Sequence, residues 1–266
     1  HRHRHRVTPL RYNRGKRRPR SIMGITIDRR LSGVAAMQFF TILVCTAMLV
    51  GCDINFNAKD GLPIGTATDM APDQYRTEFE NDWVKVIRAG YAAGESSAMH
   101  SHKRTVGVHL TAVSRLFTSI DGVAERRDTA ALVPFEIPDN DVHAAQNRLD
   151  YPTESVYVEL KASYQPTLAE APNGFDRYPE LHQLLLEGEG YRVFKTTYAE
   201  GMQAPLHSYN AKVSVFITDA RFLVETLEGV ATERVVAAGE VRWGDETSHK
   251  LTNLGELFQV LVIELM

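Results

Sequence analysis

The 266-residue sequence predicts an all-β fold made of two consecutive domains with the same architecture. Two observations lead to this prediction. A degenerate copy of residues 94–102 recurs 107 positions later, at 201–209, and an internal repeat of this length indicates a duplicated structural unit. Between the repeated landmarks, short alternating or apolar segments are separated by turn dipeptides such as Asp121-Gly122, a pattern typical of β-sandwiches and β-barrels. The length suffices for two small hydrophobic cores.

Three further landmarks repeat in the same order: an apolar segment before each glycine, a later His-x-x-x-Asn, and a closing strand that ends in Glu-Leu. Their offsets lie between 105 and 107 residues, which is not expected by chance. In the first copy they are residues 84–88, 143–147 and 156–160, and in the second they are residues 191–195, 249–253 and 261–265.

One helix is predicted, over residues 178–187. Leu181, Leu184 and Leu185 follow helical spacing, and Gly188 is a typical stop residue. We expect this short helix within the segment 163–190, which connects the two copies.

His100 and His102 follow Gly94 and precede a β-rich segment. Residues i and i+2 of a strand face the same side of a sheet. The spacing therefore predicts that both imidazoles point into one pocket.

These residues resemble the cupin superfamily, and the duplicated arrangement resembles a bicupin. In the first copy, Gly94, His100 and His102 match the family's first motif, G-x5-H-x-H-x3–4-E-x6-G. The glutamate of that motif falls on Val106 or Gly107. His143 and Asn147 match the end of the second motif, G-x5-P-x-G-x2-H-x3-N, whose Pro-x-Gly is missing.

In the second copy the matching residues are Gly201, His207, Gly239, His249 and Asn253. Tyr209 replaces the second histidine of the pair, and Val213 occupies the glutamate position. The resemblance covers about residues 79–266. It implies two tandem jelly-roll β-barrels, with a first domain at 79–162, the connection at 163–190 and a second domain at 191–266.

The resemblance implies a metal centre formed by His100, His102 and His143 in the first barrel. Three neutral imidazoles suit Fe(II) or another divalent transition metal and leave coordination positions open. The missing glutamate removes the anionic ligand, although some cupin dioxygenases use three histidines alone. The alternative is a former metal site whose histidines bond one another, water or the barrel wall.

Less metal chemistry is expected in the second barrel. Two histidines and a phenol, His207, His249 and Tyr209, favour a polar pocket for a small molecule or a purely structural barrel. Strand alternation counted from His102 predicts that His109 lies outside the first pocket, and His182 is expected on the surface of the connecting helix. The amides of the two repeated asparagines are expected to tie a loop to the adjacent strand.

The N-terminal residues resemble a bacterial lipoprotein precursor. Residues 1–22 form an Arg- and His-rich tail, which we exclude from the fold because Met23 begins a better export signal. In the signal, residues 23–52, an apolar stretch follows Arg29-Arg30 and ends at Leu49-Val50-Gly51-Cys52. This ending resembles a lipobox, in which Cys52 is lipidated. The alternative is a plain transmembrane anchor.

Residues 53–78 lack sustained periodicity and are predicted to be a flexible tether. If the lipoprotein resemblance holds, Asp53 corresponds to the residue that retains such proteins at the inner membrane. We therefore expect an exported protein, lipid-anchored to the outer face of the cytoplasmic membrane, on the periplasmic side.

Charge and motifs exclude several functions. Residues 1–51 contain 11 basic residues and one acid, which leaves 19 basic and 32 acidic residues in the remainder, a net charge of −13. An acidic body argues against nucleic acid as a partner. Two cysteines, Cys45 and Cys52, are too few for a disulfide framework. The sequence contains no nucleophile elbow, phosphate-binding loop or dinucleotide fingerprint.

Two functions remain as predictions. The first is a membrane-anchored bicupin of the cell envelope that binds a small molecule or a metal without catalysis. The second is a metal-dependent cupin oxygenase with a three-His Fe(II) centre in the first barrel. Exposed sheet edges also favour homo-oligomerisation, unless the two barrels pack together and cover an edge.

Overall fold

The computed structural model describes residues 64–167 and 171–266, which fold into two antiparallel β-barrels. The predicted basic tail, the signal with Cys52, and the first part of the tether lie outside the described residues. Within the described part of the chain, no helix is both long and apolar enough to cross a membrane.

Nine strands form the first barrel. They are β1 (Tyr75–Glu80), β2 (Val84–Tyr91), β3 (His100–His102), β4 (Thr105–His109), β5 (Val113–Ser119), β6 (Ala124–Thr129), β7 (Pro134–Ile137), β8 (Asp141–Asn147) and β9 (Thr153–Leu160). A short helix, α1 (Ala67–Met70), precedes them.

Nine strands also form the second barrel. They are β10 (His182–Gly188), β11 (Tyr191–Tyr198), β12 (Gln203–Tyr209), β13 (Lys212–Phe216), β14 (Ala220–Thr226), β15 (Ala231–Val236), β16 (Val241–Gly244), β17 (Thr247–Asn253) and β18 (Phe258–Leu265). Between the barrels lie α2 (Gly174–Arg177) and a single 3₁₀ turn (Pro179–Leu181).

The two barrels correspond strand for strand. A five-stranded sheet in the order β1-β2-β9-β4-β7 faces a four-stranded sheet, β3-β8-β5-β6, in the first barrel. The orders in the second barrel are β10-β11-β18-β13-β16 and β12-β17-β14-β15, which are the same orders shifted by nine strands. The predicted all-β fold with two tandem barrels is confirmed.

A continuous apolar layer joins the two five-stranded sheets. Along β9, Val156 and Val158 face this layer, whereas Tyr157 faces the interior of its own barrel. Ile263 on β18 belongs to the same layer and is fully buried. Strands that are buried on both faces read as continuous apolar runs, which explains why these segments do not alternate with polar residues.

The predicted helix over residues 178–187 is wrong in its position. The connection contains a four-residue helix, α2, but His182–Gly188 is a strand paired antiparallel with β11. Leucines at positions 181, 184 and 185 suit a helix, yet a short apolar run does not by itself distinguish helix from strand. Pairing with β11 decides the outcome.

The predicted tether is wrong from residue 64 onward. Ala67 on α1 and Tyr75 on β1 are almost completely buried, and Thr66 forms a bridge with Ser101. β1 is the counterpart of β10, so each barrel begins with a strand that the sequence patterns missed. Both strands lie at the sheet edge, where fewer residues are buried on both faces.

Candidate metal centre and barrel cavities

Three histidines converge inside the first barrel. His100 and His102 lie on β3, and His143 lies on β8 directly opposite His100 in the strand register. One ring nitrogen from each histidine lies within 4.8 Å of the other two. The Nε2 atoms of His100 and His102 are 3.0 Å apart. The structure therefore brings together the three residues that the cupin resemblance indicated as ligands.

Neighbouring groups orient two of the three rings. Nδ1 of His100 lies 2.7 Å from the carbonyl oxygen of Ala98, and Nδ1 of His143 lies 2.7 Å from a carboxylate oxygen of Asp141. Both acceptors require a proton on Nδ1, which places the lone pair of each ring on Nε2, and the Nε2 of His100 lies within hydrogen-bond distance of Nε2 of His102. Nε2 of His143 is buried and has no hydrogen-bond partner.

Burial keeps these imidazoles neutral. Removal from water lowers the pKa of His100 to about 4 and that of His102 to about 2. Burial also lowers the pKa of His143, against the opposing effect of Asp141. A neutral imidazole is the form that binds a metal, so the cluster is ready to act as a ligand set at neutral pH.

The donor set fits a divalent transition metal. Two imidazole nitrogens bound to one metal at about 2.1 Å lie about 3.0–3.4 Å apart, and the 3.0 Å separation of the paired Nε2 atoms agrees with this value. The lone pair of His143 Nε2, without a partner in the protein, would gain one in the metal. Three nitrogen donors without a carboxylate suit iron, zinc, copper or nickel.

The position that the cupin motif assigns to glutamate carries no carboxylate, and an aromatic ring fills the space. Val106 faces the apolar layer between the barrels, whereas Gly107 is paired with Tyr157 and faces the barrel interior. A Cβ atom on Gly107 would lie only 2.4 Å from the ring of Phe135. The packing therefore excludes a fourth protein ligand at this position.

His109 does not lie outside the pocket, contrary to the prediction. The chain crosses from the four-stranded to the five-stranded sheet between β3 and β4, so alternation counted from His102 does not continue across residues 103–104. His109 is buried, stacks on Phe135, and lies 2.8 Å from the hydroxyl of Ser155. It lines a cavity of about 280 Å³ that also reaches His143.

The same cavity contains a buried arginine that the sequence analysis missed. Arg115 is 1% exposed, and its Nη1 donates to the hydroxyl of Tyr157 over 3.2 Å. The guanidinium lies 4.2 Å from the ring centre of Tyr91. Its Nε and Nη2 have no hydrogen-bond partner. The alternation of the sequence could have identified it. Arg115 stands between Val113 and Phe117 at the alternate positions of β5 that face the barrel interior.

The second barrel places its three predicted residues together as well. The rings of His207 and His249 have centres 4.7 Å apart, and the ring of Tyr209 lies 5.0 Å from that of His207. His182 joins them, because its Nε2 lies 3.2 Å from the hydroxyl of Tyr209. The prediction of a surface position for His182 is therefore wrong, since this residue lies on a strand of the barrel.

Lys212 is a further residue that the sequence analysis missed. Its ammonium lies 4.3 Å from the ring centre of Tyr209, and its side chain lines a second cavity of about 280 Å³ together with His249. Burial lowers the pKa of Lys212 to about 8. Most other residues around this cavity are apolar or aromatic, so the second barrel offers a less polar pocket than the first.

The repeated asparagines act as predicted. Nδ2 of Asn147 donates to the carbonyl groups of Ala92 and Tyr151, each over 2.9 Å. Nδ2 of Asn253 donates to the equivalent loop carbonyls in the second barrel. Each amide fastens the end of a strand to the neighbouring loop, so the structural role is confirmed.

Comparison with known proteins supports the fold. No protein-family model and no curated protein matches the sequence. Among solved structures, AerE from Microcystis aeruginosa is 14% identical with a TM-score of 0.52, over 72% of this chain and 97% of that chain.

Two enzymes are also among the matching structures, each with a TM-score below 0.5. A single-residue variant of oxalate decarboxylase from B. subtilis is 12% identical with a TM-score of 0.48, over 73% of this chain and 76% of that one. A single-residue mutant of salicylate 1,2-dioxygenase from Pseudoaminobacter salicylatoxidans is 8% identical with a TM-score of 0.47, over 69% and 70%. At these identities the similarities concern the fold alone.

Proposed function

We propose that this protein is a small-molecule-binding bicupin whose first barrel holds a divalent transition metal on His100, His102 and His143. One observation carries the proposal: three buried ring nitrogens lie within 4.8 Å of one another. Neutral imidazoles inside a barrel lose the hydrogen bonds of water, and a metal bound to their nitrogens would replace them. A former metal site would leave the buried His143 Nε2 without any partner.

Metal analysis tests this proposal. The full chain, purified without chelators, is expected to contain close to one equivalent of Fe, Zn, Cu or Ni, or to take up Co²⁺ or Zn²⁺ stoichiometrically after treatment with EDTA. The variant His100→Ala should lose that metal. His207→Ala is the matched control, because it removes the equivalent histidine of the second barrel and should leave the metal content unchanged. Folded wild type that takes up no metal would refute the proposal.

Binding without catalysis is the role that we favour. Phe135 occupies the space of the fourth ligand, so the centre lacks the carboxylate that would neutralise part of the metal charge. The second barrel has kept the scaffold while retaining only two of the three histidines. A barrel that persists after losing part of its metal-ligand set is more readily explained by ligand binding than by catalysis.

The second candidate is a metal-dependent oxygenase. The observation that favours it is that His143 also lines the cavity, so a metal held by the three histidines would be reachable from a molecule bound there. An Fe(II) ion would supply Lewis-acid and redox chemistry, while the three histidines hold it and Asp141 orients His143. Oxygen uptake by Fe(II)-loaded protein in the presence of candidate substrates, absent in His100→Ala, would support this role.

The second barrel is proposed as a separate, metal-free pocket. His207, Tyr209 and His249 supply polar groups beside the second cavity, and His182 already engages the phenol of Tyr209. Two histidines and a buried phenol make a poor metal site. Single-equivalent metal uptake in the wild type would support this assignment, and two equivalents would contradict it.

Lipid anchoring at Cys52 is proposed from the lipobox-like residues 49–52. The protein would then lie on the outer face of the cytoplasmic membrane, with its barrels on the periplasmic side. Labelling with radioactive palmitate should mark the wild type and spare Cys52→Ala. An unlabelled wild type that still pellets with membranes would favour a plain transmembrane anchor instead.

Self-association is proposed through the sheet edges that remain exposed, such as β6, of whose six residues five are exposed. Light scattering coupled to size-exclusion chromatography measures the oligomeric state directly. A monomer at micromolar concentration would contradict homo-oligomerisation.

A further inference from the structure

Arg115 carries a buried positive charge that has no counter-ion among the described residues. A guanidinium has five N–H donors and remains protonated under all ordinary conditions. In this barrel only Nη1 has a polar partner, the hydroxyl of Tyr157. Contact with the face of Tyr91 offsets part of the desolvation cost. Nε and Nη2 remain buried without acceptors, which is costly for a charged group.

The carboxylates near the cavity do not neutralise Arg115. Asp141 and Glu136 line the same cavity, but Asp141 is engaged with His143 and Glu136 accepts a hydrogen bond from Tyr191 of the second barrel. Among the described residues, Arg115 takes part in no salt bridge. The cavity therefore places a fixed cation beside His109 and His143, and His143 belongs to the three-histidine cluster.

The second barrel shows that the fold does not need this cation. Arg115 is paired with Asn147 in the strand register, and Phe222 is paired with Asn253 at the same place in the second barrel. Phe222 packs against the rings of Phe216 and Phe258. An aromatic residue thus satisfies this position in the same scaffold, so the scaffold by itself does not require the arginine.

The walls of the cavity define the rest of the ligand. Phe117, Phe135 and Ile137 supply apolar and aromatic surface around Arg115. Its volume of about 280 Å³ lies just below the range of about 300–1,000 Å³ that is usual for ligand pockets. Arg127 also lines the cavity, but it is paired with Glu125. A partly apolar wall with one unpaired cation suits a small molecule that has an anionic end and a hydrocarbon or aromatic body.

We propose that the first barrel binds a small organic acid whose carboxylate pairs with Arg115 beside the three histidines. This inference rests on the proposed ligand-binding function and names the ligand class for the same cavity. A carboxylate would supply acceptors for the free N–H groups of Arg115, which favour bidentate pairing. It would also bring the negative charge that the centre lacks, since Phe135 and Gly107 leave no room for a protein carboxylate.

The test separates the carboxylate from the metal. The full chain is treated with EDTA, and binding of benzoate and of its neutral isostere benzamide is measured by calorimetry at constant ionic strength. We expect benzoate to bind at least tenfold more tightly than benzamide. Arg115→Met should abolish this preference, Arg115→Lys should retain part of it, and Phe222→Met, the matched change in the second barrel, should leave it unchanged.

Several outcomes would overturn the inference. Equal affinity for benzoate and benzamide, no binding of benzoate, or an undiminished preference in Arg115→Met would each exclude a carboxylate pocket at Arg115. Inorganic phosphate that binds as tightly as benzoate would exclude the organic-acid assignment, because the apolar walls would then contribute nothing. Failure of the untreated protein to take up metal would refute the metal centre. It would not affect the preference for benzoate over benzamide, which is measured without metal.

Folding of the variants is checked independently. Arg115→Met removes an unpaired buried charge, so the metal-free and ligand-free variant should melt at a temperature equal to or above that of the wild type. Benzoate should raise the melting temperature of the wild type and leave that of Arg115→Met unchanged. A rise of the same size in both proteins would place benzoate elsewhere and contradict the proposal.

Discussion

Arg115 of the first barrel and Phe222 of the second occupy the same position in the two copies of the scaffold, each opposite a motif asparagine. The arginine lies over Tyr91 and bonds Tyr157, whereas the phenylalanine belongs to an apolar core. One barrel therefore carries a buried cation where the other carries a packing residue. The two barrels differ in chemistry while they share one architecture.

The hydrogen bond from His143 to Asp141 should tune metal affinity. Replacing Asp141 with alanine removes the carboxylate 2.7 Å from Nδ1, which orients the ring and raises its basicity. Loss of such a partner weakens metal binding by about 10–100-fold. Competition between the protein and a chromophoric chelator for Zn²⁺ measures the change. Asp139→Ala, at an exposed neighbouring position, is the control and should have no effect on affinity.

Gly107 should tolerate no side chain while Phe135 is present. A methyl group there would meet the ring of Phe135 at 2.4 Å and the carbonyl oxygen of Val156 at 2.9 Å. Gly107→Ala is expected to lower the free energy of unfolding by about 1–3 kcal/mol, the usual cost of overpacking. In urea titrations, combining it with Phe135→Leu should cost less than the sum of the single changes. Additive costs would show that the ring is not the obstacle.

Two equivalent glutamates should respond differently to neutralisation. Glu264 is fully buried and accepts from Arg192 over 2.6 Å. Glu264→Gln leaves Arg192 with only the exposed Asp176, 3.6 Å away, and should cost about 3 kcal/mol. Glu159 occupies the same register position in the first barrel, and one of its oxygens has no partner.

Burial raises the pKa of Glu159, so its ionised form is disfavoured in the folded protein. Glu159→Gln should therefore change the free energy of unfolding by less than about 1 kcal/mol, or stabilise the protein, at pH 7. Chemical denaturation of both variants beside the wild type measures the contrast. A cost for Glu159→Gln as large as that for Glu264→Gln would contradict this account.

Stability of the metal-free protein should fall as the pH falls from 7.5 to 5. Burial lowers the pKa of His109 to about 3, that of His182 to about 4 and that of His249 to about 3. In the unfolded chain these residues bind protons near pH 6.5, so the unfolded state holds more protons below that value. The free energy of unfolding is therefore highest above pH 6.5. Below that value it decreases by up to about 1.4 kcal/mol per histidine for each pH unit.

Urea unfolding at several pH values, with EDTA present, measures this slope. His249→Gln should flatten it, because one group that takes up a proton on unfolding has been removed. A denaturation midpoint in the wild type that does not move between pH 7.5 and 5 would show that the buried histidines titrate normally.

The sequence by itself determined the duplicated scaffold. Landmarks kept at offsets of 105–107 residues indicated two related barrels, because each copy must place the same turns and inward-facing residues at the same points. The i, i+2 spacing of His100 and His102 also fixed their common direction on one strand. These features are local or repeated along the chain, so they can be recognised without knowledge of which strands pair.

Only the tertiary structure decided the remaining features. Strand pairing made His182–Gly188 a strand, and the crossing between sheets turned His109 into the cavity. Packing placed Phe135 in the space of a glutamate and left Arg115 charged and unpaired beside three histidines. Each depends on contacts between segments far apart in the sequence, and neither composition nor periodicity encodes which distant side chains share a cavity.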